Sequence, residues 1–262
     1  MTFWLRAFLA IPLALAASVA NAEGIVKASF EASVDRYGHF ALGRPHEYAR
    51  LVAITASGQR RVFELPEHEV FEDLTPRIVR LAASEPVEIL AIVSHRNQGS
   101  RLVLLRLNGG HIEVSAQSAP IGTPMRWLNP VAVADLDGDG QAEIAAVITP
   151  HIGGILKIYQ KQGAALVEVA ALGGFSNHAL GSMELALSQA FEMGGKVRLL
   201  VPDTTRTELR VVGFENRRLV EQGRCTLPTA ITGGIQAVSS TQVSVGLRSG
   251  PQTISPKDCL RQ

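Results

Sequence analysis

The sequence predicts an all-β chain, and three observations carry the prediction. Short β-rich runs punctuated by Gly, Pro, Asn and Asp recur along it, long helical periodicity is missing, and one set of runs repeats at offsets of about 54–55 residues. The repeat begins with the apolar run Val87–Val93, which matches Ala142–Ile148 and Lys196–Val201.

Each run is followed by an alternating strand, at Arg101–Leu107, Ile155–Tyr159 and Glu208–Phe214. Hairpin turns at Asn108–Gly110, Gln162–Gly163 and Glu215–Asn216 lead to third strands at His111–Val114, Leu166–Val169 and Leu219–Glu221. An apolar segment precedes each set, at Arg77–Leu81, Pro130–Ala134 and Glu184–Leu187, so every unit holds four antiparallel strands. Units of this kind cannot bury both faces alone, and at this period they describe a β-propeller. A weaker unit precedes them (His39–Leu42, Arg50–Ile54, Arg61–Leu65, Glu69–Phe71) and another follows (Ile235–Val238, Gln242–Leu247, Thr253–Ile254). The count is five blades, or six if two have merged. The last unit is one strand short, and Gly24–Phe30 is expected to supply it, pairing the two chain ends and removing free sheet edges.

The first 22 residues have the form of a secretory signal: Arg6, an apolar run from Ala7 to about Ala17, and small residues at Ala20 and Ala22. Residues 1–22 are therefore expected to be removed, leaving residues 23–262 as one propeller domain in the periplasm or the medium. Pro12 interrupts the apolar run, and no later run is long enough to span a bilayer. Cleavage removes Arg6 alone, so acidic and basic side chains become equal in number, which argues against a nucleic-acid partner. Cys225 and Cys259 are the only cysteines; an oxidising compartment favours a disulfide, with two separately buried thiols as the alternative.

One loop carries metal chemistry. Asp135, Asp137 and Asp139 alternate with Leu136, Gly138 and Gly140, and Gln141 and Glu143 follow. Three carboxylates, the Gln141 carbonyl and the Glu143 carboxylate make an oxygen-only donor set suited to Ca²⁺. An EF-hand would need a bidentate Glu at its twelfth position, where this chain has Ala146 inside an apolar strand. The segment Val131–Val147 resembles one FG-GAP/VCBS-type propeller repeat. The likeness extends more loosely over residues 35–228, through Tyr37-Gly-His39, Arg126-Trp127-Leu128, Pro150-His151 and Asn177-His178, to exported bacterial VCBS-repeat proteins. That resemblance implies a propeller whose loop between the first two strands of a blade binds calcium, and it implies no established activity. The corresponding segments Ala82–Pro86 and Gln189–Gly194 lack the carboxylates, so a single, structural calcium site is expected.

Successive connections in a propeller alternate between its two faces. The face opposite the aspartate loop collects Tyr37, His39, Trp127, His151, Asn177 and His178, with His95 in a neighbouring hairpin. Gly38–Gly43 and Asn177–Gly181 resemble one another, as if one loop design were used twice. These residues are expected either to form a ligand or metal pocket at the channel mouth or to cap their own loops. The functional expectation is a binding or scaffold module for a protein, glycan or small ligand. The alternative is a propeller lyase or hydrolase using His39, His151 or His178 with Tyr37 as proton carrier. A carboxylate within hydrogen-bond reach of one of these histidines would favour the enzyme, and Asp35, Glu47 and Glu184 are the nearest in sequence. Common hydrolase, zincin, redox and phosphate-loop motifs do not occur.

Overall fold

The computed structural model describes residues 24–260; the expected signal peptide, residues 1–22, lies outside them. Among the described residues all regular structure is β, apart from one 3-10 turn at Pro256–Cys259. No described helix is long and apolar enough to cross a membrane.

Ile25–Val34 (β1), Glu47–Thr55 (β2) and Arg60–Glu64 (β3) form an antiparallel group with β2 in the middle. After Glu69–Phe71 (β4), the strands Arg77–Val79 (β5), Glu88–His95 (β6), Gly99–Asn108 (β7) and His111–Ser118 (β8) pair as an antiparallel meander. A second meander follows, made of Leu128–Ala134 (β9), Glu143–Ile148 (β10), Ile155–Gln162 (β11) and Ala165–Gly173 (β12). The third, Gln189–Met193 (β13), Lys196–Pro202 (β14), Glu208–Glu215 (β15) and Arg218–Thr226 (β16), is a separate four-stranded sheet. Ile231–Ala237 (β17), Val243–Leu247 (β18) and Gly250–Ile254 (β19) make a three-stranded one. The first three groups join into a twelve-stranded sheet that is mixed and open, because β8 and β12 pair in parallel through Gln117 with Ala165 and Ser118 with Leu166.

Alternation along the central strands explains why continuous apolar runs are needed there. Leu90 and Ile92 of β6 enter one core with Trp127, Ile144 and Ala146, while Ile89, Ala91 and Val93 enter another with Leu51 and Phe71. Ala145 and Val147 of β10 face a third core with Leu199 and Val201, and Leu200 faces a fourth with Ile235 and Val245. Each strand with side chains on both faces buried thus glues two neighbouring groups, and consecutive groups stack face to face in chain order.

Four expectations are corrected. The N-terminal strand pairs with β2, from Ile25 opposite Thr55 to Val34 opposite Glu47, and not with the last group. Phe30 stacks on Tyr48 and Phe71 there, whereas β19 carries Pro251, which has no N–H to offer a further strand. The fourth strand assigned to the first unit, β4, shares a single ladder pair with β2, Tyr48 opposite Phe71, and instead pairs along its length with β6 at Glu69–Phe71. The three-residue β5 covers only Glu88–Leu90 of β6 and leaves that edge open at Val93–His95. His39–Leu42 and Glu184–Leu187 are not strands: Phe40 and Gly43 take positive φ of 49° and 69°, and the first strand of the third meander lies later, at β13. Residues 189–193, expected in a loop, form that strand, turning into β14 through Gly194 and Gly195.

Cys225 of β16 and Cys259 form a disulfide with Cα atoms 4.7 Å apart. Leu260 makes a β-bridge to Gly223, where an added Cβ would meet the Cys259 carbonyl oxygen at 2.0 Å, so glycine admits this crossing.

Candidate functional site

Two polar clusters lie on connections between strands. The first is the aspartate loop from β9 to β10. Ligand atoms of Asp135, Asp137 and Asp139 lie within 4.8 Å of one another. Gly138 and Gly140, at φ of 86° and 88°, let the chain curl so that Asp135 accepts amide hydrogens from Gly138, Asp139 and Gly140 at 2.7–3.1 Å. Asp139 accepts the Gln141 amide at 2.7 Å. Glu143 is wholly buried beneath the loop, and its oxygens accept from the Leu136 amide at 2.9 Å and the Gln160 amide group at 3.0 Å. Burial pushes its carboxyl above the ordinary glutamate value, and the charges of Asp137 and Asp139 add to the effect. The donor set is carboxylate and carbonyl oxygen, which fits a hard divalent cation.

The second cluster gathers the segments that precede β2, β9 and β13 with the turn from β10 to β11. Its anchor is Glu72, just past β4 and missing from the sequence-level candidates. The Glu72 carboxylate is 1 % exposed; His39 Nδ1 lies 2.6 Å from one oxygen and the Ser94 hydroxyl donates to the other at 2.5 Å. The Glu72 carbonyl accepts the indole N–H of Trp127 at 2.8 Å. Trp127 is buried and stacks on His151 with ring centroids 6.0 Å apart, while His178 meets its edge at 4.8 Å. Tyr37 packs edge-on against His39 and accepts the Met125 amide hydrogen at 3.2 Å. Asn177 lies beneath, donating to the Asn129 carbonyl and to the Ser188 hydroxyl at 3.1 Å each, and Asn129 donates back to the Asn177 and Leu185 carbonyls.

The hydrogen bonds fix two tautomers. His178 Nε2 faces the Ser182 carbonyl at 2.9 Å, which only accepts, so the proton sits on Nε2 and Nδ1 holds a lone pair. His151 Nε2 lies 2.7 Å from that Nδ1 and must donate to it, leaving the lone pair of His151 on Nδ1. Burial holds His151 down at about 4, with the nearby His178, His39 and Arg206 charges adding, and burial lowers His178 as well. Both rings are neutral at pH 7. Tyr37 is pushed up to about 12 by burial and by the Glu72 charge.

The similar segments around His39 and His178 touch: Gly181 N–H donates to the Ala41 carbonyl at 2.9 Å, and a Cβ on Gly43 would stand 2.2 Å from the Gly181 carbonyl oxygen. Of the carboxylates near these loops in sequence, Glu47 accepts the His39 amide at 3.2 Å, Glu184 accepts the Ala186 amide at 2.7 Å, and Asp35 makes no contact with a histidine of the cluster. His95 belongs elsewhere, with His68. The segments that carry these residues also bear exposed apolar side chains: Phe40, Met125, Ile152, Leu180 and Met183. Phe40 and Met125 hold left-handed backbone conformations, as does Thr149 beside His151. Such residues persist only where their surroundings over-determine them, and they cluster at functional loops. No family model and no curated protein matches the chain.

Proposed function

We propose that the chain is an exported, calcium-stabilised β-propeller that acts as a binding module. Four cores between successive β-groups support the propeller. Calcium would be held by Asp135, Asp137 and Asp139 with the Gln141 carbonyl and the Glu143 carboxylate, drawing together carboxylates that otherwise repel one another.

The observation that carries the binding reading is the apolar rim on the segments that build the imidazole cluster. Leu180 and Ile152 are 67 % and 62 % exposed, and Met183 is 57 % exposed, on loops that also carry His178 and His151. Grouped exposed Leu, Ile, Met and Phe side chains mark interaction surfaces, and methionine adapts to varied partners. The occupant this rim fits is an apolar segment of a partner protein, with His39 and His151 presenting ring nitrogens to its polar groups. Panning a peptide-display library against the calcium-loaded chain tests this. Selected peptides are expected to lose at least about tenfold in affinity for Leu180→Asp and Met183→Asp, at unchanged melting temperature; equal binding to both variants would remove the rim from the account.

A second reading, a lyase or hydrolase, is favoured by the buried Glu72 carboxylate behind His39, an arrangement that orients a general base. Two of its expected participants are poorly poised. Proton transfer works best when the pKa lies near the working pH, and Tyr37 at about 12 and His151 at about 4 stand far from neutrality on opposite sides.

A further inference from the structure

We propose that His68, Glu69 and His95 form a second metal site, selective for a borderline transition ion such as Zn²⁺ and separate from both clusters above. One ligand atom from each residue lies within 4.8 Å of the other two. The two imidazoles stand with ring centroids 5.0 Å apart and planes at 65°. A zinc–nitrogen bond of about 2.1 Å at a tetrahedral ion places two imidazole centroids about 5 Å apart, so these rings already hold the spacing of a shared ligand pair.

The sheet builds the site. Glu69 sits directly opposite His95 in the β4–β6 pairing, and the Arg96 amide donates to the His68 carbonyl at 3.0 Å. Pairing across the ladder therefore fixes all three backbones, and His68 is the exposed member able to swing onto an ion. Arg101 grips the Glu69 carboxylate through both guanidinium ends, at 2.8 and 3.1 Å, and aims it as an outer-shell partner aims a ligating carboxylate. Each carboxylate oxygen keeps a second lone pair for a cation. His95 Nδ1 accepts the Asn97 amide at 3.1 Å, so an ion either takes Nδ1 in place of that one hydrogen bond or takes Nε2 in the other tautomer.

The donor set decides the ion. Two imidazoles and one carboxylate suit zinc or copper rather than Ca²⁺ or Mg²⁺, which prefer all-oxygen shells. Three protein ligands leave a fourth position for water or for a donor from a bound molecule.

Calorimetric titration of Zn²⁺ into the mature chain, first treated with chelator and then saturated with calcium, tests the site. One zinc per chain is expected, weakened at least about tenfold in His68→Ala, His68→Gln and His95→Ala and retained in His39→Ala and Asp137→Ala. His68→Gln preserves the side-chain bulk, and circular dichroism identical to wild type shows that the fold survives. No zinc binding, or binding unchanged in the His68 and His95 variants, would overturn the proposal, and loss only in His39→Ala would move the ion to the other cluster.

Discussion

His39 and Glu72 meet at 2.6 Å across 33 residues of sequence, and this contact ties the segment before β2 to the end of β4. Glu72 also receives the Ser94 hydroxyl, so a single buried carboxylate organises groups from three segments. Glu72→Ala strands those donors away from water, and a cost of about 3 kcal/mol is expected. Urea unfolding measures it, and a loss below about 1 kcal/mol would show that the network is incidental.

His151 makes stability depend on pH. Its folded value, about 4, lies below the ordinary 6.5, so the unfolded chain binds the extra proton first as pH falls. The neutral ring's contribution is complete above 6.5 and is lost progressively as pH falls towards 4. His151→Gln is expected to flatten the fall of melting temperature across that window, and an unchanged slope would contradict the neutral buried ring.

Chelation is expected to lower the melting temperature, and Asp137→Ala to abolish the difference between calcium-loaded and stripped protein. Glu143 gives the stripped form a pH-dependent contribution opposite in sign to that of His151. Its carboxyl is raised in the fold, so its own contribution to stability falls as pH climbs from the ordinary glutamate value through the raised one. Calcium-free melting curves from pH 4 upward, compared between wild type and Glu143→Gln, isolate this contribution and check its direction.

Gly43 marks where the two similar loops touch. A methyl group there meets the Gly181 carbonyl oxygen at 2.2 Å, and the φ of 69° disfavours any side chain. Gly43→Ala is expected to cost about 2 kcal/mol or more, whereas Gly58→Ala, at a similar φ but in open space, is expected to cost about 1 kcal/mol. Equal losses would mean that the loops do not touch.

The strands were most legible where side chains are buried on both faces. Val87–Val93, Ala142–Ile148 and Lys196–Val201 fall on β6, β10 and β14, whose apolar runs answer to two cores at once. Gln189–Met193 was missed because it mixes Gln and Glu with Phe and Met and leads into a double glycine, which reads as a loop. The pairing of β1 was misjudged because edge strands choose partners by aromatic contacts and missing donors, such as Phe30 on Phe71 and Pro251 on β19, which no local pattern announces. In the site, the histidines stood out as rare residues on similar loops. Glu72 did not, since its partners lie 22 and 33 residues away and an acidic residue after a short strand looks like solvated surface.

The cluster beside the proposed binding surface holds its imidazole nitrogens through neighbours at a buried Trp and Glu. Nitrogen-15 NMR of histidine-labelled protein reads those protons directly. Between pH 6 and 8 His151 is expected to show a protonated Nε2, an unprotonated Nδ1 and no titration, and at pH 8 His178 is expected to show the same tautomer. Rapid averaging of the two tautomers, or a charged ring at His151 in that range, would contradict the account.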